Sequence, residues 1–249
     1  LAIVAGFCWR YEFERRAFYE RILGGEIGDV QSIYATYLTG PVKPMRPDSA
    51  RDESWSDIEW QVRNWYNFTW LSGDGLVEQA VHSVDKIAWA MGDTPPVSCT
   101  AVGGRGIPNH SGNIFDHIEV NYLYPNGVRA YMAQRQQRRC HNENNDYLLG
   151  TKGRGDIGRG IFIENAKGRW RYEGKRENMY QVEHNELFKS IRDGEPINNG
   201  ERMALSTMMG IMGRTAAYTG KEITYEQALN SKEDRYPKDM NWESGKHTP

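Results

Sequence analysis

"TKGRGDIGRGIFIENAKG" occupies residues 151–168, and its reading decides the fold of the chain. Gly153-Arg-Gly155-Asp-Ile-Gly158 satisfies the pattern G-x-G-x-x-G letter for letter. With 26 glycines in the chain the pattern carries little weight alone, so the flanking segments have to decide. A phosphate-cradling turn of this kind needs a strand before it and a helix after it, because free amides at a helix N-terminus hold the pyrophosphate. Here "GIFIE" follows, which alternates like a strand. The glycines therefore read as tight turns, with a bulge among them, inside an antiparallel meander.

Reading upstream, the meander grows. "VSCTAVGG" (97–104), "IFDHIEVNYLY" (114–124) and "VRAYMAQRQQ" (128–137) are strand-like, and Asn126-Gly127 between the last two is a hairpin signal. "DYLLGTKG" (146–153), "DIGRGIFIE" (156–164) and "RWRYEG" (169–174) continue it. "DVQSIYATYL" (29–38) is a further strand, rich in β-branched and aromatic residues. Residues 2–8, "AIVAGFC", look like a short strand buried on both faces.

Helical spacing marks residues 12–23, 76–93, 179–194 and 201–220, each closed by glycine. In 76–93 the apolar residues Leu76, Val77, Ala80, Val81, Val84, Ile87, Ala88 and Met91 form one broad stripe, with Asp74 as N-cap. Thr224-x-x-Gln227 is a capping box that opens one more helix. Residues 40–60, with Pro41, Pro44 and Pro47, read as a long loop, and long loops in compact domains are often functional. The sum is an α+β fold: an open, mostly antiparallel sheet with helices on one face. The other face, apolar in part, calls for a cover, and a second copy of the chain is the expected one.

Composition narrows the partners. A net charge of −2 supplies no field that would draw the chain to nucleic acid or to an anionic membrane. Three cysteines, Cys8, Cys99 and Cys140, are too few and too scattered for a disulfide framework, and suit a reducing, cytoplasmic setting. Eight Trp and 14 Tyr are enough for sugar-stacking surfaces as well as for a core.

One constellation carries chemistry. Glu78, His82 and Asp85 are spaced i, i+4, i+7 and fall within roughly 40–60° of one another on an ideal helix. Two carboxylates beside an imidazole raise its pKa and fix its tautomer, as a proton relay near neutral pH requires. The competing reading is a solvated salt-bridge face. Trp65, Tyr66 and Trp70 are candidates to line a sugar pocket, with core packing as the default. His141 and Glu143, two residues apart in a loop, are a weak metal candidate, and the Asp116-His117 pair is a weak polar cluster.

Several segments together resemble the glucose–fructose oxidoreductase/inositol dehydrogenase/MocA family of NAD(P)-dependent sugar oxidoreductases. The resemblance rests on "AIVAGFCWRYEFERRAFYERILGGEIGDVQSI", on His82-x-x-Asp85 followed by Trp89-x-x-Gly92, on "YLLGTKG", and on the closing "LFKSIRDGEPINNGERMALSTMMGIMGRTAAYTGKEITYEQAL". It implies that residues 1–10 are the last strand and crossover turn of a dinucleotide-binding domain. Residues 11–236 would then be the substrate-binding and oligomerisation domain, and 237–249 a tail. It implies NAD or NADP in a full-length protein, with no cofactor held by this chain alone, which would then be inactive by itself. The substrate would be a sugar, polyol or glycoside. The resemblance places His82 as the acid/base and Glu78 where the family usually has aspartate. It sets Asp85 at a supporting position, and Arg10 and Tyr11 at the turn beside the nicotinamide. Two alternatives stand beside it. One is a lyase or hydrolase acting on an oxidised sugar, with a metal held by residues such as His82, Glu78 and His141. The other is a non-catalytic oligomerising domain.

Overall fold

In the computed structural model, the described residues are 1–108, 110–158, 160–238 and 242. They build one nine-stranded sheet with helices packed on a single face. The strands are β1 (Val30–Thr39), β2 (Ser98–Gly104), β3 (His117–Leu123), β4 (Arg129–Gln136), β5 (Asp146–Gly150), β6 (Gly153–Asp156), β7 (Phe162–Asn165), β8 (Gly168–Arg171) and β9 (Ile223–Thr224). Their order across the sheet is β8-β7-β6-β5-β1-β4-β3-β2-β9. Neighbours pair antiparallel except β1 with β4, where Tyr34 faces Tyr131 and Tyr37 faces Gln134 in parallel register.

Alternation sets the two faces. Ile33 and Ala35, Ile118, Val120 and Tyr122, Ala130 and Met132, and Leu148 are all buried beneath the helices. The helices are α1 (Phe13–Leu23), α2 (Asp57–Arg63), α3 (Thr69–Ser72), α4 (Gly75–Glu78), α5 (Val81–Ala90), α6 (Met179–Arg192), α7 (Gly200–Thr219) and α8 (Tyr225–Leu229). Leu205, Met209, Met212 and Ala216 of α7 join that core, and the Tyr122 hydroxyl donates to the Met209 carbonyl at 2.9 Å. Tyr19 of α1 stacks on Trp89 of α5 at 4.3 Å between ring centroids. On the opposite face Tyr147, Tyr34 and Tyr131 stand in one row across β5, β1 and β4. Tyr34 is 39% exposed there and Leu149, one row along, 56%.

Three expectations change. Residues 2–8 make a single parallel bridge, Ile3 with Asn198, in place of a buried strand. Ile3 is 38% exposed there, because no second strand flanks it. The stretch 153–158 is not a set of turns: Gly153 and Gly155 lie within β6, paired with Asn165 and Ile163 of β7. A side chain at 155 would put its Cβ 2.6 Å from Cζ of the fully buried Phe18, so close packing selects glycine. The helix over 76–93 is two helices, interrupted at Gln79 (φ −112°) between α4 and α5. Most of the tail 237–249 lies outside the described residues. Among the described residues no helix is long and apolar enough to cross a membrane.

Candidate active site

The interruption between α4 and α5 lies over the C-terminal ends of the parallel pair β1 and β4. Gly75 opens α4, and a Cβ there would sit 2.8 Å from Gln136 Nε2 and 3.0 Å from Gln134 Nε2. Glycine lets this helix start come down onto the two strand amides without displacing them. Asp74, fully buried, caps α4 by accepting from the Leu76 amide and is held by the Tyr218 hydroxyl at 2.7 Å. Tyr37 of β1 reaches up to donate to Gln79 Oε1 at 2.7 Å, which ties the break to the sheet.

His82 stands in the first turn of α5. Its ring is covered by residues of the N-terminal segment: Phe7 edge-on at 5.9 Å and Trp9 tilted at 5.4 Å. Burial lowers its pKa from the ordinary value and the Lys86 ammonium adds to this, against the opposing Asp85 charge. Desolvation thus outweighs the neighbouring carboxylate, the reverse of the rise expected from charge spacing. The direction of the shift favours the neutral imidazole. Among the described residues no hydrogen bond joins it to Glu78 or Asp85. The broken helix and the pairing of Asp85 elsewhere dissolve the expected trio.

Glu78 is half-buried, and its Oε2 is enclosed without a hydrogen-bond partner. Burial raises its pKa, eased by Gln79 and the Lys43 charge. Gln134, 2% exposed, has neither amide atom hydrogen-bonded. Buried amides are nearly always paired, so the Gln134 amide is open to a water or a ligand hydroxyl. Gln136, next on the same strand face, donates to the Tyr66 hydroxyl and accepts from the Val42 amide at 3.2 Å. Tyr66 is buried, and Trp65 beside it lies under the Lys43 ammonium at 4.7 Å. Trp70 donates to Gln61 Oε1 at 2.7 Å.

Arg10 and Asp85 face each other. The guanidinium donates to Asp85 Oδ2 at 2.8 Å and Oδ1 at 2.9 Å, and to Asp93 at 2.6 Å. Ser206 of α7 also donates to Asp85 Oδ1, at 2.8 Å. Arg10 is 4% and Asp85 1% exposed. This network straps the N-terminal segment, and with it Phe7 and Trp9, over His82. Tyr11 is buried alongside and donates to Asn199 Oδ1 at 3.1 Å.

Lys86, 1% exposed, went unnoticed in the sequence. It pairs with Asp146 at 2.9 Å, under the Trp9 ring at 4.3 Å. Burial brings its pKa down to about 8 against the pull of Asp146. Its signal was position: a lysine among Val84, Ile87 and Ala88 on a helix buried nearly all round. His141 and Glu143 come only to 3.7 Å of each other, with His141 exposed. Among the described residues no three metal-ligating side chains converge.

A cleft of about 230 Å³ opens beside Gln136, between the proline-rich loop after β1, the loop before β3 and the end of β4. Pro41, Lys43, Pro44 and Met45 of the stretch read as a loop over 40–60 contribute to its lining, whereas the end of that stretch is helical from Asp57, where the Ser56 side chain caps α2.

The sequence profile of the GFO/IDH/MocA C-terminal domain matches residues 16–156. The chain belongs to the GFO/IDH/MocA family. Solved structures agree with the GFO/IDH/MocA fold. The aldose-aldose oxidoreductase from Caulobacter crescentus complexed with glycerol superposes with a TM-score of 0.71 at 17% identity, over 90% of this chain and 64% of that one. A levoglucosan dehydrogenase in complex with NADH and levoglucosan gives 0.69 at 16% identity, over 90% and 66%. An oxidoreductase from Agrobacterium radiobacter in complex with NAD+, L-tartaric acid and magnesium gives 0.66 at 12% identity, over 91% and 66%. The chain thus spans about two thirds or less of the length of these GFO/IDH/MocA-type proteins. No curated protein matches it.

This chain's own glycine pattern does not fit a dinucleotide. Residues 153–156 are a strand paired on both sides, and among the described residues the next element is strand β7, with no helix N-terminus to present amides to a pyrophosphate.

Proposed function

We propose that the chain is the substrate-holding half of an NAD(P)-linked oxidoreductase acting on a hydroxyl of a sugar, polyol or glycoside, with His82 taking the hydroxyl proton. The observation that carries this reading is the placement of His82: an imidazole walled by Phe7 and Trp9, its pKa lowered by burial, at a helix start above the strand ends. A general base works in its unprotonated form, which the lowered pKa of His82 favours. The family's sugar-linked relatives support the substrate class. A nicotinamide cofactor supplies the redox half of the reaction, from sequence beyond residues 11–236, with residues 1–10 as the crossover from its domain.

The chain's own groups then have distinct tasks. Glu78, with its raised pKa and unpaired Oε2, and Gln134, with its unpaired amide, offer hydrogen bonds to substrate hydroxyls. Tyr66 and Trp65 frame that end of the site. Arg10, Asp85 and Tyr11 act as positioning residues, holding the segment that covers His82. The open face of the sheet, where Tyr34, Tyr147 and Leu149 are exposed side by side, is the surface on which a homo-oligomer would form face to face.

The test is His82→Gln in the full-length protein with NAD+ and NADP+ over a panel of sugars and polyols. Loss of a general base lowers kcat by about 10²–10⁴. Turnover equal to that of the wild type ends the proposal.

A further inference from the structure

The cleft beside Gln136 is walled by apolar side chains and rimmed by cations. Met45, Ile107, Ile114 and Phe115 form the walls, and Phe115 is fixed by stacking on Tyr218 at 3.8 Å. Two full charges of one sign, Lys43 and Arg138, stand at the rim. Among the described residues neither has an ion-pair partner, and the Lys43 ammonium rests on the face of Trp65. The one carboxylate in the lining, Asp116, is already engaged. It accepts from the Gly106 and Ile107 amides at 2.8 and 2.9 Å and lies 2.7 Å from His117 Nδ1. Burial and the Arg105 charge lower the pKa of His110, also in the lining, against the opposing Asp48 charge. Among the described lining residues two cations thus face one carboxylate, on a chain whose overall charge is −2.

Size and polarity narrow the ligand further. At about 230 Å³ the cleft falls below the roughly 300–1,000 Å³ of drug-sized sites, so it takes a single ring or a short open chain. Gln136 and Gln137 line it, and the unpaired amide of Gln134 lies one step inward on the Gln136 face of β4. Such a wall suits hydroxyls, and the rim suits an anion.

We propose that the substrate of this site is a sugar acid, a monosaccharide bearing a carboxylate, with its carboxylate held between Lys43 and Arg138. This inference rests on the substrate-domain reading above and adds to it the charge of the substrate. Arg138 presents the planar fork that matches a carboxylate, and Lys43 a point charge on the other side.

The test is titration calorimetry on the 249-residue chain without cofactor. D-glucuronate, D-galacturonate and D-gluconate serve as probes against D-glucose, D-galactose and D-glucitol, with inorganic phosphate as the bare anion. At least one acid is expected to bind about tenfold or more tighter than its neutral counterpart, and to weaken as salt is raised. Lys43→Gln and Arg138→Gln each weaken the acid by about threefold to tenfold and leave the neutral sugar unchanged, while Lys43→Arg retains binding. Equal binding of acid and neutral sugar overturns the proposal, as does binding of neither. Phosphate competing as well as the acid marks an anion patch alone and overturns it too. Because no redox step is read, a failed turnover assay in the parent and a failed titration here are separate results.

Discussion

Replacing Asp85 with alanine is the sharpest check on the strap over His82. The wild-type pair is 4% and 1% exposed, with two guanidinium–carboxylate hydrogen bonds of 2.8 and 2.9 Å. Removing one partner of a buried pair costs about 3–5 kcal/mol, because the other charge stays buried and uncompensated. Here Arg10 keeps Asp93, which is 38% exposed, so the lower end applies, about 3 kcal/mol. For a chain of this length that lowers Tm by roughly 6–12 °C. Urea unfolding followed by tryptophan fluorescence reads the free energy, and a thermal scan reads Tm. The double variant Arg10→Met/Asp85→Leu replaces the pair by apolar side chains of similar volume. It should return to within about 1 kcal/mol of the wild type. A loss below about 1 kcal/mol for Asp85→Ala, or a double variant no better than the single, refutes the argument that burial of an unpaired charge sets the cost.

Other expectations follow from single groups. Burial holds His82 below its ordinary value, so the rate in the full-length protein should stay level down to about pH 6.5 and fall only as His82 protonates below it; an acid limb above pH 7 contradicts this. Gly155→Ala drives a Cβ into the fully buried Phe18 ring and should cost about 1–3 kcal/mol in denaturant unfolding, whereas an unchanged midpoint would show that the α1–β6 contact is loose. Lys86 has a folded pKa of about 8 against roughly 10.4 unfolded, so between these values the unfolded chain holds a proton that the folded chain has released. Raising the pH through that window therefore stabilises the fold. The wild-type minus Lys86→Met difference in unfolding free energy should rise from pH 8 to 10, and a flat difference would place the lysine in water.

Periodicity made most of the sheet legible, because a face buried under helices must alternate. Ile118, Val120 and Tyr122 show this, and Asn126-Gly127 marks the hairpin to β4. Partnership was not legible. Nothing in residues 29–38 says that β1 lies parallel to β4, since alternation reports a strand and not its neighbour. The helix break at Gln79 was hidden because the apolar stripe runs through it without a glycine or proline. His82 and Glu78 stood out by residue type and spacing, but the direction of the His82 shift did not. Charges can be counted in a sequence, whereas the depth at which Phe7 and Trp9 cover a ring comes from segments 70 or more residues away. The cleft between Lys43 and Arg138 joins three loops, so no local pattern announces it.

The parallel pairing of β1 with β4 also governs the order of events during synthesis. β1 is central in the sheet, yet about 90 residues separate its end at Thr39 from the start of β4 at Arg129. At about 5–20 residues per second, a ribosome takes roughly 5–18 s to deliver that partner. Throughout this interval Val30–Thr39 is an emerged, β-prone segment with both hydrogen-bonding edges unpaired. The first strand of this sheet to leave the ribosome must wait to be paired on either side, which makes it the segment most in need of a holding chaperone.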